Sequence, residues 1–265
     1  MRAMDGSFWL RAFPSPRYAA WRRRIAWLSR RLRWDARGLE HVPPSGPVIL
    51  AMNHTGWEEI LVATLMLDRP LAYLGIRDVA WLDRPAAQRR VFASTYGLSW
   101  GLTRRMLFRG FGRLVGRWLR GVLAAGGYVP VGVAIPGFPP KLGRNGLDLA
   151  VARLAEGHPL LVFPQGGYRR DGEVIPFKPG VGLLVAACAR AGLRVPVLPV
   201  AQWTARCISL TLGNRFVPRV RIGPPLFWDD APGTSTRERA EHFTALLQAR
   251  VQELLAPIHP ATYAR

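Results

Sequence analysis

The chain has 265 residues, of which 49% are hydrophobic and 20% charged, with a formal net charge of +20. That balance excludes a disordered or fibrous chain and supports one large core or two small ones. The charge predicts attraction to anions such as nucleic acid, anionic lipid or a phosphorylated substrate.

Cys188 and Cys207 are the only cysteines, too few for a disulfide framework or a Cys-x-x-Cys metal site. No stretch approaches the ~20 uninterrupted apolar residues of a spanning helix. The N-terminal FWLRAFPSPRYAAWRRR is broken by Arg and Pro, unlike a secretory signal. The expectation is a protein at the cytoplasmic face of the cell membrane, attached peripherally.

Residues 1–37 hold ten arginines and two acids, with tryptophans interleaved. Tyr18, Trp21, Ile25, Leu28 and Leu32 recur at helical spacing, with Arg22, Arg23, Arg30, Arg31 and Arg33 largely off that stripe. An amphipathic helix carrying Trp21, Arg22 and Trp27 suits a membrane interface; the same pattern also suits a helix packed on the domain with a solvated basic face. GLEHVPPSGPVILAMNH then reads as a loop, a proline turn and a strand, followed by a helix over residues 57–68.

Residues 86–155 carry eleven basic residues and one acid, Asp148. Within them LTRRMLFRGFGRLVGRWLRGVL sets Arg105, Arg109, Arg113, Arg117 and Arg120 on one arc of a helix. Leu107, Phe111, Leu114, Val115, Trp118 and Val122 take the other arc. Its four glycines require a surface to bind, either core or lipid.

Strand and helix signals alternate from there. GYVPVGVAI and PLLVFPQ read as strands, with a helix from Asn145 to Glu156 between them. GVGLLVAACARAG reads as a buried helix ending at Gly192, and VPVLPVAQ, CISLTLG and RVRIGPPL as further strands. Thr236 to Leu255 is the last helix. Short apolar strands interleaved with helices predict a single α/β domain, with a central, mostly parallel or mixed sheet flanked by helices. Its expected divisions are a basic amphipathic segment over 1–37, the α/β domain over 38–228, and a C-terminal helix over 229–265 packed on that domain.

Chemistry concentrates in two stretches. In AMNHTGWEEI, His54 follows a core strand, whose carboxyl end opens onto a crevice in such sheets. Glu58 and Glu59 lie four and five positions on, one helical turn in, where a carboxylate reaches back to the imidazole. Such a carboxylate fixes the ring's tautomer and leaves the other nitrogen to take a proton. Acids in a first helical turn also complement the dipole without any catalytic duty. The second stretch is VFPQGGYRRDGEVIPFKPG, a strand ending in Pro164, Gln165, Gly166 and Gly167, with Arg169, Arg170 and Lys178 after it. Cations beside exposed backbone N–H groups suit a phosphate or a developing oxyanion, and they also suit an ordinary solvated loop.

GLEHVPPSGPVILAMNHTGWEE, FPQGGYRR, VPVLPVA and VRIGPPL, in this order and spacing, resemble the glycerolipid acyltransferases. That family includes the bacterial 1-acylglycerol-3-phosphate acyltransferases, and the resemblance covers roughly residues 38–228. It implies acyl transfer from acyl-CoA or acyl-carrier protein to a lipid hydroxyl. His54 is then the base and Glu59, at the family's Asp position, its partner. Asn53, Gln165, Gly166, Gly167, Arg169, Arg170 and Lys178 would bind substrate. No metal, bound cofactor or covalent acyl-enzyme is implied, and the partners are an anionic membrane surface, the thioester donor and the lipid acceptor.

The third family motif usually reads Phe-Pro-Glu-Gly-Thr-Arg; here Gln165 replaces the Glu, Gly167 the Thr and Tyr168 the Arg. GGYVPVGV lacks the arginine of the second motif, and Val133 stands about where it would be. These changes favour an acceptor other than a simple glycerol phosphate, unless Arg169, Arg170 or Lys178 supplies the charge. Two rival readings remain: an inactive lipid-binding relative of the same fold, and a basic nucleic-acid-binding protein. No nucleic-acid motif supports the second, and no Gly-x-Ser-x-Gly supports a serine hydrolase.

Overall fold

The structure is a computed structural model. It describes residues 13–16, 18–20, 22–23, 35–55, 58–76, 123, 125–131, 142–167, 174–203 and 217–259. The chain divides into two compact units, one of residues 1–18 and 74–149, the other of 19–73 and 150–265. In chain order the elements are β1 (Asp35–Arg37), β2 (Val48–Met52), α1 (Glu58–Met66), β3 (Ala72–Ile76), β4 (Tyr128–Val131), α2 (Leu142–Ala155), β5 (Pro159–Val162), α3 (Gly180–Arg190), β6 (Val197–Trp203), β7 (Arg219–Ile222) and α4 (Thr236–Leu255). Short 3-10 turns lie at Leu39–His41 and Trp228–Asp230. The strand order is β1-β7-β6-β2-β5-β3-β4.

In the second unit β2 is central. Its sequence VILAM is buried at every position, as a strand covered on both faces must be. It pairs in parallel with β5, Ile49 opposite Leu160, and with β6, Ile49 opposite Val197. Successive side chains point to opposite faces. Val48, Leu50 and Met52 therefore share one face with Leu161, Leu198, Val200, Val220 and Ile222, where Val62 and Ala63 of α1 pack on them.

Elsewhere in this unit α4 packs against β6 and α3. It buries Ala240, Phe243, Thr244, Leu247, Val251 and Leu255, the three-and-four spacing of one helix face. Its first turn is capped by Ser235, whose Oγ accepts from Glu238 N at 3.2 Å. β7 runs antiparallel to β6 and parallel to β1, so the sheet is mixed.

Arg69, between α1 and β3, ties the far ends of two strands. Its Nη1 donates to the Pro43 carbonyl at 2.8 Å, and its Nη2 to the carbonyls of Gly46 at 2.5 Å and Gly157 at 2.8 Å. Those carbonyls precede β2 and β5.

In the first unit, Ser15 Oγ donates to the Ala125 carbonyl at 3.0 Å, and the rings of Phe13 and Tyr18 lie 5.2 Å apart. Gly127 has φ +79°, and a Cβ there would stand 2.6 Å from the Phe13 ring. Glycine is thus needed both for the backbone and for the space.

The expected α/β architecture, with a mostly parallel mixed sheet flanked by helices, is what the chain adopts. The final helix matches its expected bounds, Thr236 to Leu255. Several expected elements differ in extent; the helix expected to end at Gly192, for one, ends at Arg190. α2 begins at Leu142, three residues before Asn145. α1 spans Glu58–Met66. β5 ends at Val162, because Pro164 has no N–H to continue a ladder. β1 and β3 were not expected from the sequence.

The helical stripe over Tyr18–Leu32 falls mostly outside the described residues, Trp21 and Trp27 included. The 102–123 segment with Arg105, Arg109, Arg113, Arg117 and Trp118 also falls outside them, save Leu123, as does the CISLTLG strand. Among the described residues no helix is long and apolar enough to cross a membrane.

Candidate active site

The carboxyl ends of three neighbouring strands converge in the second unit. β2 delivers Asn53, His54 and Thr55, β5 delivers Phe163 through Gly167, and β6 delivers Gln202. Side chains at such ends face the crevice where ligands bind in open α/β sheets. α1 begins beyond Thr55 and carries Glu59 in its first turn.

His54 Nδ1 lies 3.1 Å from Glu59 Oε2. An ionised carboxylate only accepts, so this contact assigns the hydrogen to Nδ1 and makes Nε2 the basic nitrogen of the neutral ring. The His54 side chain is 19% exposed while that of Glu59 is fully buried. The imidazole therefore meets solvent and its partner does not. Glu59 Oε1 accepts from the backbone N–H of Thr55, from Thr55 Oγ1 at 2.7 Å and from Gln202 Nε2 at 2.8 Å. A buried charge is tolerated when it is satisfied in this way.

The loop after β5 closes the other side. Phe163 stacks on the His54 ring with centroids 4.2 Å apart. Gln165 Oε1 accepts from the His54 backbone N–H at 2.5 Å. That N–H can only donate, so the amide's orientation is settled and Nε2 points the other way. Gln165 Nε2 is buried with no hydrogen-bond partner.

Gly166 N donates to the Phe163 carbonyl at 3.1 Å, and Lys178 N to the Pro164 carbonyl at 2.9 Å. Gly166 has φ +62°, and a Cβ there would stand 2.9 Å from Lys178 Nζ. The glycine lets the lysine side chain lie across the turn.

The structure thus brings His54, Glu59, Asn53, Gln165, Gly166 and Lys178 into one corner, with Gly167 next in the turn. Asn53, expected to bind substrate, is only 1% exposed and spends its side chain on Gln202: its Oδ1 accepts from Gln202 N at 2.7 Å and its Nδ2 donates to the Gln202 carbonyl at 3.1 Å. Arg169 and Arg170 lie outside the described residues. Arg22, expected at the membrane, donates from Nη2 to the Leu67 carbonyl just beyond α1.

Sequence reasoning missed Thr55, Phe163 and Gln202. The available signal for Gln202 was a polar residue near the end of the otherwise apolar VLPVAQW. Among the described residues, no group of three His, Cys, Asp or Glu stands close enough to hold a metal ion.

Comparison with known proteins gives three findings. A family model described as Acyltransferase matches residues 113–203, a stretch that holds the 163–167 turn and Gln202. A curated relative from Dictyostelium discoideum, Taffazin, is 32% identical over 79 residues; the match spans 30% of this chain and only 28% of that protein. Among solved structures, the 1-acyl-sn-glycerophosphate (LPA) acyltransferase PlsC of Thermotoga maritima shares the fold, with a TM-score of 0.52 at 18% identity. That match covers 94% of this chain and 87% of the other.

Proposed function

We propose that the chain is a glycerolipid acyltransferase that moves a fatty acyl group from a thioester donor to a lipid hydroxyl, a reading supported by the Acyltransferase model over residues 113–203 and by the shared fold. The donor is acyl-CoA or acyl-carrier protein, and the acceptor a lysophospholipid or a related lipid or glycolipid. One observation carries this reading: the 3.1 Å contact of His54 Nδ1 with the buried carboxylate of Glu59, where three strands end.

In this mechanism His54 Nε2 takes the hydroxyl proton as the acceptor oxygen attacks the thioester carbonyl. Glu59 holds the ring in the productive tautomer and stabilises the imidazolium that forms. The tetrahedral intermediate then expels the thiolate. The imidazolium returns its proton to that sulfur, leaving an ester and a free thiol. No metal or bound cofactor takes part.

The acceptor reading leans toward neutral hydroxyls. Gln165 is uncharged where the resembling family carries a carboxylate, and GGYVPVGV offers no arginine for a phosphate. The basic composition fits a peripheral protein on the anionic cytoplasmic face of the cell membrane, where each Arg near the surface contributes about 1 kcal/mol.

The test is purified protein with labelled acyl-CoA or acyl-carrier protein and a panel of lysophosphatidate, other lysophospholipids and neutral glycolipids. Transfer that disappears in His54→Ala is the expected result. Transfer unaffected by that change, or absent with every acceptor, overturns the reading and leaves a lipid-binding relative. Clean turnover of lysophosphatidate alone ends the neutral-acceptor preference. Binding to anionic liposomes should be lost when Arg109, Arg113 and Arg117 are all replaced by Glu; unchanged co-sedimentation places that segment away from the membrane.

A further inference from the structure

We propose that Gln202 is a positioning residue that sets the orientation of Glu59, and through it the geometry of His54. The inference rests on the acyl-transfer reading and names a residue no motif of that reading includes. Glu59 poses a physical problem. Three side-chain torsions separate its carboxylate from the backbone, and either oxygen can in principle meet the imidazole.

The structure resolves that freedom by loading one oxygen. Oε1 accepts from Thr55 N, Thr55 Oγ1 and Gln202 Nε2, which leaves Oε2 for His54 Nδ1. Two of those donors belong to Thr55, four residues before Glu59 and part of the same local turn. Among the described donors, Gln202 is the one that reaches in from another strand, and so ties the carboxylate to the sheet.

Gln202 is itself held from two directions. Its main chain is clasped by the Asn53 side chain, through Gln202 N to Asn53 Oδ1 at 2.7 Å and Asn53 Nδ2 to the Gln202 carbonyl at 3.1 Å. Its side-chain Nε2 faces the Asn53 carbonyl at 3.2 Å, Thr55 Oγ1 at 3.1 Å and Glu59 Oε1 at 2.8 Å. The Asn53 carbonyl and the Glu59 carboxylate can only accept, which settles the amide's orientation. The residue is fully buried, so water does not replace a donor lost there.

The clasp uses only the Gln202 main chain. Replacing the side chain with methionine, similar in length and apolar, therefore removes the contact to Glu59 and keeps the tie between β2 and β6. Gln202→Met is expected to lower kcat by about 10- to 100-fold, with KM within about twofold, since no substrate contact is removed. In the Glu59→Gln background the same change should cost less than about twofold, because the residue then has no carboxylate to orient. The Hδ1 resonance of His54, read by NMR on histidine-labelled protein, should shift or broaden. Gln202→Leu, a second apolar replacement, should behave alike if Gln202→Met does not fold.

A kcat equal to that of the parent with a lowered Tm would make Gln202 a stability residue and overturn the proposal. Equal losses in the Glu59 and Glu59→Gln backgrounds would overturn it as well. If the parent shows no transfer at all, the acyltransfer reading fails, and the NMR arm still decides the clamp: an unmoved Hδ1 resonance in the variant overturns it.

Discussion

The imidazole of His54 lies against the ring of Phe163, centroids 4.2 Å apart and planes inclined by 21°. One face of the base is thereby covered, and its rotation about the Cβ–Cγ bond is restrained. Phe163→Ala should lower kcat by about tenfold or more, because a base that swings samples the productive pose less often. Phe163→Tyr keeps a ring in place and should stay within a few-fold of the parent. Steady-state transfer kinetics on the two variants read this difference.

Glu59 stands where the resembling family carries Asp, yet shortening it here should not restore anything. Glu59→Asp draws the carboxylate back from Thr55 Oγ1, Gln202 Nε2 and His54 Nδ1 together. The expected outcome is a fall in kcat of at least about tenfold and a stability loss of about 1–3 kcal/mol from buried donors left without an acceptor. Urea unfolding beside the transfer assay checks both.

Gly182 of α3 faces the backbone of α4, and a Cβ there would stand 2.2 Å from the Ala240 carbonyl oxygen. Alanine would favour the helix by about 1 kcal/mol on propensity alone. The clash with main chain outweighs that, since the helices must separate. Gly182→Ala should destabilise the protein by about 1–3 kcal/mol, read as a lowered Tm.

At the sheet edge, Arg221 Nη2 donates to Asp35 Oδ2 at 2.8 Å. That hydrogen bond holds the Asp35 carboxyl below its ordinary range, helped by the charges of Arg221, Arg37 and Arg219 and opposed by burial. A depressed carboxyl pKa stabilises the fold above the unfolded value, near 4, and the contribution is lost as pH falls through the lower folded value. Asp35 is 35% exposed, so screening keeps the effect below about 1 kcal/mol. Asp35→Asn should therefore be slightly less stable than the parent at pH 7 and indistinguishable from it in acid below both values. Urea midpoints at the two pH values decide this.

The strands whose side chains are buried on both faces were legible. VILAM and VLPVAQW announce themselves as apolar runs, and PLLV does so up to the proline that stops it. β1 was not legible because Asp-Ala-Arg has no apolar signature; it is a strand through its pairing with β7 and the Arg221 contacts to Asp35. β3, AYLGI, is short and carries a glycine, and pairing with its neighbours makes it a strand. In the site, the spacing of His54 and Glu59 could be read because both lie within one local turn. Gln202 lies 143 residues from Glu59, and no local pattern encodes a contact made by strand order. The contacts of Asn53 with Gln202, which extend the ladder beyond Met52 and Val200, were not legible for the same reason.

The three carbonyls gathered by Arg69 have a consequence at the opposite pole of the sheet. β2 and β5 are in register from Val48 and Pro159 onward, and Arg69 grips the turns just upstream of each. Six residues after Val48 and Pro159 the same two strands set His54 and Gln165 at matching heights. A lesion at Arg69 would let those tapes slide, and a bench assay would record lost turnover from a residue that never meets a substrate.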